Sequence, residues 1–141
     1  MTLKGKILKT VVKIYSRLSL SNRSPQKLQE ITLRKLLISA SQTDFGKRYD
    51  FNTILRSSNI IKAFQNKVPI FDYDAIYTNW WHRLLKGDKD VTWPGKIKIF
   101  ALSSGTTGSS SKYIPISPQM QQSMGRASFK SICTFLDEIN L

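Results

Sequence analysis

The hydrophobic periodicity of this chain changes character once, at Trp93-Pro94-Gly95, and that change separates what can fold as helices from what can pair as strands. Upstream, apolar residues recur three and four apart, the spacing of one helix face. Downstream, Ile97, Ile99 and Ala101 alternate with Lys98 and Phe100 as far as Leu102, the period of a half-buried strand. A second short strand pattern covers Lys112 to Ile116. Between the two patterns stand nine residues, 103–111, of which seven are Ser or Thr and two are Gly. Ser117 and Pro118 then open a last helix. The pattern predicts an α/β chain in a single domain: mainly helical over 1–92, strand–loop–strand over 96–116 and a helix over 118–139, with the loop exposed.

Within the helical part, Leu3, Ile7, Leu8, Val11, Val12, Ile14, Tyr15 and Leu18 mark an amphipathic helix whose other face carries Lys9, Lys13 and Arg17. Ser24 with Pro25 reads as an N-cap and first helical residue. Leu28, Ile31, Leu36, Leu37 and Ala40 then supply a buried stripe, and Gly46 a stop. A third helix is expected from near Ser58, burying Ile60, Ile61 and Phe64 before Val68, which Pro69 pushes to extended geometry. Asp72 or Asp74 can cap a fourth, carrying Tyr73, Ile76, Tyr77, Trp80, Trp81, Leu84 and Leu85 and ending at Gly87. These aromatics read as core, and His82 as an exposed or hydrogen-bonded helix residue rather than a base.

Composition removes several function classes. The 141 residues contain a single cysteine, Cys133, and a single histidine, His82, which excludes an internal disulfide and a Cys/His metal centre; no metal site is expected. No apolar run approaches the roughly 20 residues needed to span a bilayer. Lys9 and Lys13 interrupt any secretory signal, so a cytoplasmic protein is expected, although the basic, acid-free residues 1–29 share the composition of a mitochondrial leader. The net charge of +13 suits an anionic partner. A non-catalytic basic module for anionic membrane or nucleic acid is therefore the alternative to an enzyme, without any specific nucleic-acid motif behind it.

The Ser/Thr/Gly run has residue types suited to phosphate. Gly105 and Gly108 permit close backbone approach, so several N–H groups can converge on one anion. Ser103, Ser104, Thr106 and Thr107 add hydroxyl donors, and Lys112 adds a mobile positive charge. A flexible Gly/Ser linker has the same composition. The nucleoside-triphosphatase P-loop is excluded, because Ser111 stands where glycine must precede the lysine.

Ser103-Ser104-Gly105-Thr106-Thr107-Gly108 followed by Lys112 resembles the first nucleotide-binding motif of the adenylate-forming superfamily. The lysine falls one position later than in most of that superfamily, and this spacing, with Lys112-Tyr113-Ile114-Pro115, resembles the Gretchen-Hagen-type auxin-responsive acyl acid amido synthetases. The resemblance continues upstream through Thr43-Asp44-Phe45-Gly46-Lys47 with Tyr49 and Phe51, Val68-Pro69-Ile70 with Tyr73, then Gly87 and Trp93-Pro94-Gly95. It implies the helix-rich amino-terminal piece of the large domain of an adenylate-forming enzyme.

The activity so implied is an ATP- and Mg²⁺-dependent ligase that joins a carboxylic acid to an amino acid or amine through an acyl-adenylate. Ser103, Ser104, Gly105, Thr106, Thr107, Gly108 and Lys112 would bind the nucleotide; no residue is assigned as a catalytic acid, base or nucleophile. Ser109-Ser110-Ser111-Lys112 departs from the Gly-Glu-Arg-Lys or Gly-Lys-Pro-Lys of many members. Those members run to several hundred residues, so a piece of a synthetase, inactive by itself, is expected.

Overall fold

The computed structural model describes residues 24–103 and 111–138; the amphipathic pattern of Leu3 to Leu18 lies outside them. Residues 24–117 form one compact unit, and the helix from Pro118 belongs to a second and is described by itself.

The first described helix, α1 (Pro25–Ala40), begins as the sequence predicts: Ser24 caps it by accepting the Lys27 N–H, and Pro25 occupies the first turn, where a missing N–H costs nothing. Its buried stripe is narrower than expected. Leu37 and Ala40 are buried on the face that meets the following helices, whereas Leu28 and Leu36 are exposed. The covering comes from three short helices, α2 (Asp44–Arg48), α3 (Phe51–Arg56) and α4 (Ile60–Lys67). The Arg34 guanidinium adds a hydrogen bond of 3.1 Å to the Leu55 carbonyl.

Gly46 is not the stop signal that the sequence suggested. The helix ends at Ala40, and Gly46 lies inside α2, where a Cβ would overlap the Ala40 oxygen and sit 2.9 Å from its carbonyl carbon. Thr43, fully buried, makes this junction: its Oγ1 donates to Ala40 O at 2.7 Å and accepts the Gly46 N–H at 3.0 Å. The helix α3 escaped the periodicity reading because six residues are too few to show it. It is set by Asp50, which adopts φ 51° and accepts the Thr53 N–H, and it contributes the buried Phe51 and Ile54. In α4, capped by Asn59, Ile60 is buried but Ile61 is exposed.

The expected fourth helix is present but not uniform. It runs as α5 (Tyr73–Ile76), a π-helical turn (Tyr77–Trp81) and α6 (His82–Leu85), with Asp72 as the cap. The His82 N–H reaches back to Tyr77 O, five residues away, and Nδ1 of its ring lies 3.1 Å from the same carbonyl and therefore donates to it. Consecutive residues of a helix point about 100° apart, so the neighbouring tryptophans meet different partners. Trp80 packs edge-on against Phe45 with ring centres 5.1 Å apart, and Trp81 meets Tyr73 edge-on at 6.1 Å.

Two apolar clusters result. One gathers Leu37, Ala40, Phe51, Ile54 and Ile60; the other gathers Leu84, Val91 and Ile97, and Trp93 packs on both. Trp93 thus joins the clusters as well as marking the turn. Beyond it, β1 (Ile99–Ser103) pairs antiparallel with β2 (Lys112–Ile116), Phe100 opposite Pro115 and Ser103 opposite Lys112. The expected inward set of Ile97, Ile99 and Ala101 is corrected. Ile97 is buried before the strand starts, an irregular step follows, and within β1 Phe100 turns inward while Ile99 and Ala101 are exposed. One residue out of phase exchanges the two faces of a strand.

The final helix, α7 (Pro118–Glu138), starts where Pro118 predicts. Cys133 on it is a buried free thiol. Among the described residues no helix is long and apolar enough to cross a membrane.

Candidate functional site

The approach to the Ser/Thr/Gly run is built by residues far upstream of it in the chain. The Asp44 and Phe45 N–H groups donate to Asp90 O (2.8 Å) and Val91 O (2.9 Å), docking the start of α2 on the segment after α6. Arg83 reinforces the same joint through Asp44 (2.8 Å) and Asp88 (3.0 Å), and these bonds, to Asp88 first and then Asp44, raise the guanidinium pKa. Gly87, at φ 96°, ends α6 by donating to Leu84 O. Gly95, at φ 77°, donates its N–H to Asp90 Oδ1 at 2.7 Å and closes a tight turn bridged by Lys89 and Lys96. This turn delivers the chain into β1.

Of the seven candidate binding residues, the structure places Ser103 and Lys112. Ser104, Gly105, Thr106, Thr107 and Gly108 lie outside the described residues. Ser103 ends β1 and Lys112 begins β2, and their pairing brings the residues on either side of 104–111 next to each other. Such a closure lets backbone N–H groups from a short segment converge on one anion.

A contact that sequence reasoning missed stands beside that closure. The Tyr113 N–H donates to the Tyr73 hydroxyl at 2.9 Å, and the Lys112 ammonium lies 5.0 Å from the centre of the Tyr73 ring. Tyr73 was expected in the core with Tyr77, Trp80 and Trp81. All four are half-buried: Trp80 and Trp81 do pack on the Leu84, Val91 and Ile97 cluster, while Tyr73 stacks on Tyr77 with centres 5.7 Å and planes 22° apart. The four-residue spacing of Tyr73, Tyr77 and Trp81 shows that they share a face. No local signal shows that this face meets a residue 40 positions away. Asp72 and Asp74, as expected, act at the helix start, Asp72 accepting the Ala75 N–H at 2.7 Å. Among the described residues no three His, Cys, Asp or Glu side chains are grouped to hold a metal ion.

Comparison with known proteins agrees with the blocks that build this approach. The GH3 family N-terminal domain matches residues 14–138. The chain belongs to the GH3 family. It is 31% identical over 107 residues to an indole-3-acetic acid-amido synthetase, GH3.4, of Arabidopsis thaliana, covering 75% of this chain and 17% of that protein. It is also 31% identical over 98 residues to the jasmonoyl-L-amino acid synthetase JAR4 of Nicotiana attenuata, covering 69% and 16%. The chain therefore spans about a sixth of the length of the curated relatives it matches. No solved structure matches it significantly.

Within this family member the recognisable blocks divide by task. Thr43-Asp44-Phe45-Gly46 and Trp93-Pro94-Gly95 are joints of the scaffold, each with a backbone or packing reason for its residues. Ser103 and Lys112 flank the Ser/Thr/Gly segment, and Tyr73 stands beside Lys112.

Proposed function

We propose that this chain carries the first nucleotide-binding element of an ATP-dependent acyl acid amido synthetase, built as part of the large domain of an adenylate-forming enzyme. The observation that supports the reading is the pairing of Ser103 with Lys112, which brings the two flanks of the Ser/Thr/Gly segment together in a member of the GH3 family. The names of the relatives, amido synthetases for indole-3-acetic acid and for jasmonoyl-amino acids, favour a ligase over a basic membrane or nucleic-acid module.

In this reading a carboxylate oxygen attacks the α-phosphorus of ATP and pyrophosphate leaves; an amine then attacks the acyl carbon of the adenylate, forming the amide and releasing AMP. The chain's contribution is electrostatic. The N–H groups of Ser104 to Gly108, the hydroxyls of Ser103, Ser104, Thr106 and Thr107, and the Lys112 ammonium would face the phosphate oxygens where charge builds. Mg²⁺ would be held largely by the nucleotide's own phosphates. The carboxylic acid and the amino acid or amine are the small-molecule partners, and the cytoplasm, rich in ATP, is the setting.

The test is a graft. Residues 99–116 of this chain would replace the matching segment of the Arabidopsis synthetase, and acid-dependent exchange of pyrophosphate into ATP would be measured. The graft should retain exchange, and Thr106→Val within it should cost about 1–3 kcal/mol of transition-state stabilisation, the value of a lost donor to developing charge. Unchanged exchange after Ser104→Ala and Thr106→Val together removes the loop from the mechanism.

A further inference from the structure

Among the described residues the strand pair has few attachments. It has two strands there, Ile99, Leu102 and Tyr113 on it are exposed, and a lone two-stranded ladder is marginal in water. Tyr73 supplies a second attachment at the loop's downstream end. Its hydroxyl accepts the Tyr113 N–H, which points away from β1 and would otherwise face solvent. Pro115, two residues on, has its nitrogen on that same outward side, so a proline there removes no bond to β1. Tyr73 is itself fixed from several sides: by the Asp72 cap, by stacking on Tyr77 and by the edge of Trp81.

The ring does a different task from the hydroxyl. A carboxylate beside Lys112 would orient the ammonium and also neutralise it, whereas an aromatic face orients a cation through its quadrupole and leaves the charge intact. Among the described residues no carboxylate lies within ion-pair distance of Lys112, and the ring centre is 5.0 Å from its nitrogen. An ammonium oriented without a carboxylate among the described residues keeps its charge for a phosphate.

We infer that Tyr73 is a positioning residue of the phosphate loop: its hydroxyl fixes the backbone at Tyr113 and its ring holds the Lys112 ammonium for the nucleotide. The inference rests on the reading of residues 103–112 as a nucleotide loop. Tyr73 touches no phosphate; it acts through Lys112 and Tyr113.

The test uses the ¹⁵N-labelled chain, titrated with MgATP and followed by the amide shifts of Ser103, Lys112 and Tyr113. Tyr73→Phe, which keeps the ring, should weaken binding about threefold to tenfold, the range for one lost hydrogen bond. Tyr73→Leu should weaken it about threefold further, the cation–ring share. In a Lys112→Met background the hydroxyl step should persist and the ring step should vanish, whereas a merely structural ring would matter equally in both backgrounds. Should Tyr73→Leu not fold, Tyr73→Phe still decides the hydroxyl step, and Tyr73→Trp, which keeps an aromatic face without the hydroxyl, should match Tyr73→Phe and lose nothing further in the Lys112→Met background. Wild-type affinity in Tyr73→Phe, or a ring step that survives Lys112→Met, overturns the inference. Ser104→Ala with Thr106→Val separates the two levels: if it weakens binding and the Tyr73 variants do not, only this inference falls, and if it has no effect the loop reading fails and takes the inference with it.

Discussion

Gly46→Ala is the substitution for which the structure gives the sharpest magnitude. An added Cβ would overlap the Ala40 oxygen, and would stand 2.9 Å from its carbonyl carbon and 3.1 Å from that of Ser41. Those neighbours are backbone and cannot swing aside. Carbon atoms rest about 3.5–4.0 Å apart, so α2 and the end of α1 must separate by about 1 Å. The Ala40 oxygen accepts both the Thr43 N–H (3.1 Å) and the Thr43 hydroxyl (2.7 Å), and that hydroxyl accepts the Gly46 N–H (3.0 Å).

Stretching three bonds at about 1 kcal/mol each, in a buried junction, predicts a loss of about 2–4 kcal/mol. For a chain of this size that corresponds to a fall of about 10 °C in the midpoint. The assay is urea and thermal unfolding followed by far-ultraviolet circular dichroism. Gly125→Ala is the control, because nothing lies within 4 Å of its Cβ position in the middle of α7. There the gain in helix propensity should stabilise α7 by up to about 1 kcal/mol. If Gly46→Ala unfolds within about 0.5 kcal/mol of the parent, a cost well below that of a surrendered buried bond, the reasoning about the Thr43 junction is wrong.

Three further outcomes follow from the same geometry. Thr43→Val keeps the buried shape but removes a donor and an acceptor, and should cost about 1–3 kcal/mol in urea unfolding. Hydrogen bonds from Lys67 and then Thr53 hold the Asp50 carboxyl down to about 2 from an ordinary 3.8, so its stabilising contribution is present above about pH 4 and lost as pH falls toward 2; midpoints measured from pH 5 to 2 should fall less steeply for Asp50→Asn than for the parent. The 141 residues alone should release no pyrophosphate from Mg-ATP in the presence of carboxylic acids and amino acids, since turnover needs donors from more than one segment placed about the phosphate; acid-dependent release abolished by Ser104→Ala with Thr106→Val would contradict this.

What the sequence determined by itself follows local rules. Ser24-Pro25 starts α1 and Asp72 starts α5, because a cap needs only its own next turn. Val68 is extended because the clash with Pro69 is between neighbours. Lys112–Ile116 and the helix from Pro118 are legible for the same reason, and the ordered blocks from Thr43 to Pro115 were enough to point to the family. The candidate loop was legible as residue types, and its closure by Ser103 and Lys112 needed only the two strand patterns around it.

Tertiary structure decided whatever depends on a residue far along the chain. Gly46 looks like a helix stop in isolation, and only the oxygen of Ala40 folded against it shows why a side chain is excluded. Ile99 and Ala101 look inward by alternation, but an irregular step after buried Ile97 gives the inward position to Phe100. Tyr73 has the helical spacing of a core aromatic. Its place beside Lys112 arises because β2 returns past the face that Tyr73 shares with Tyr77 and Trp81, a meeting that no local periodicity encodes.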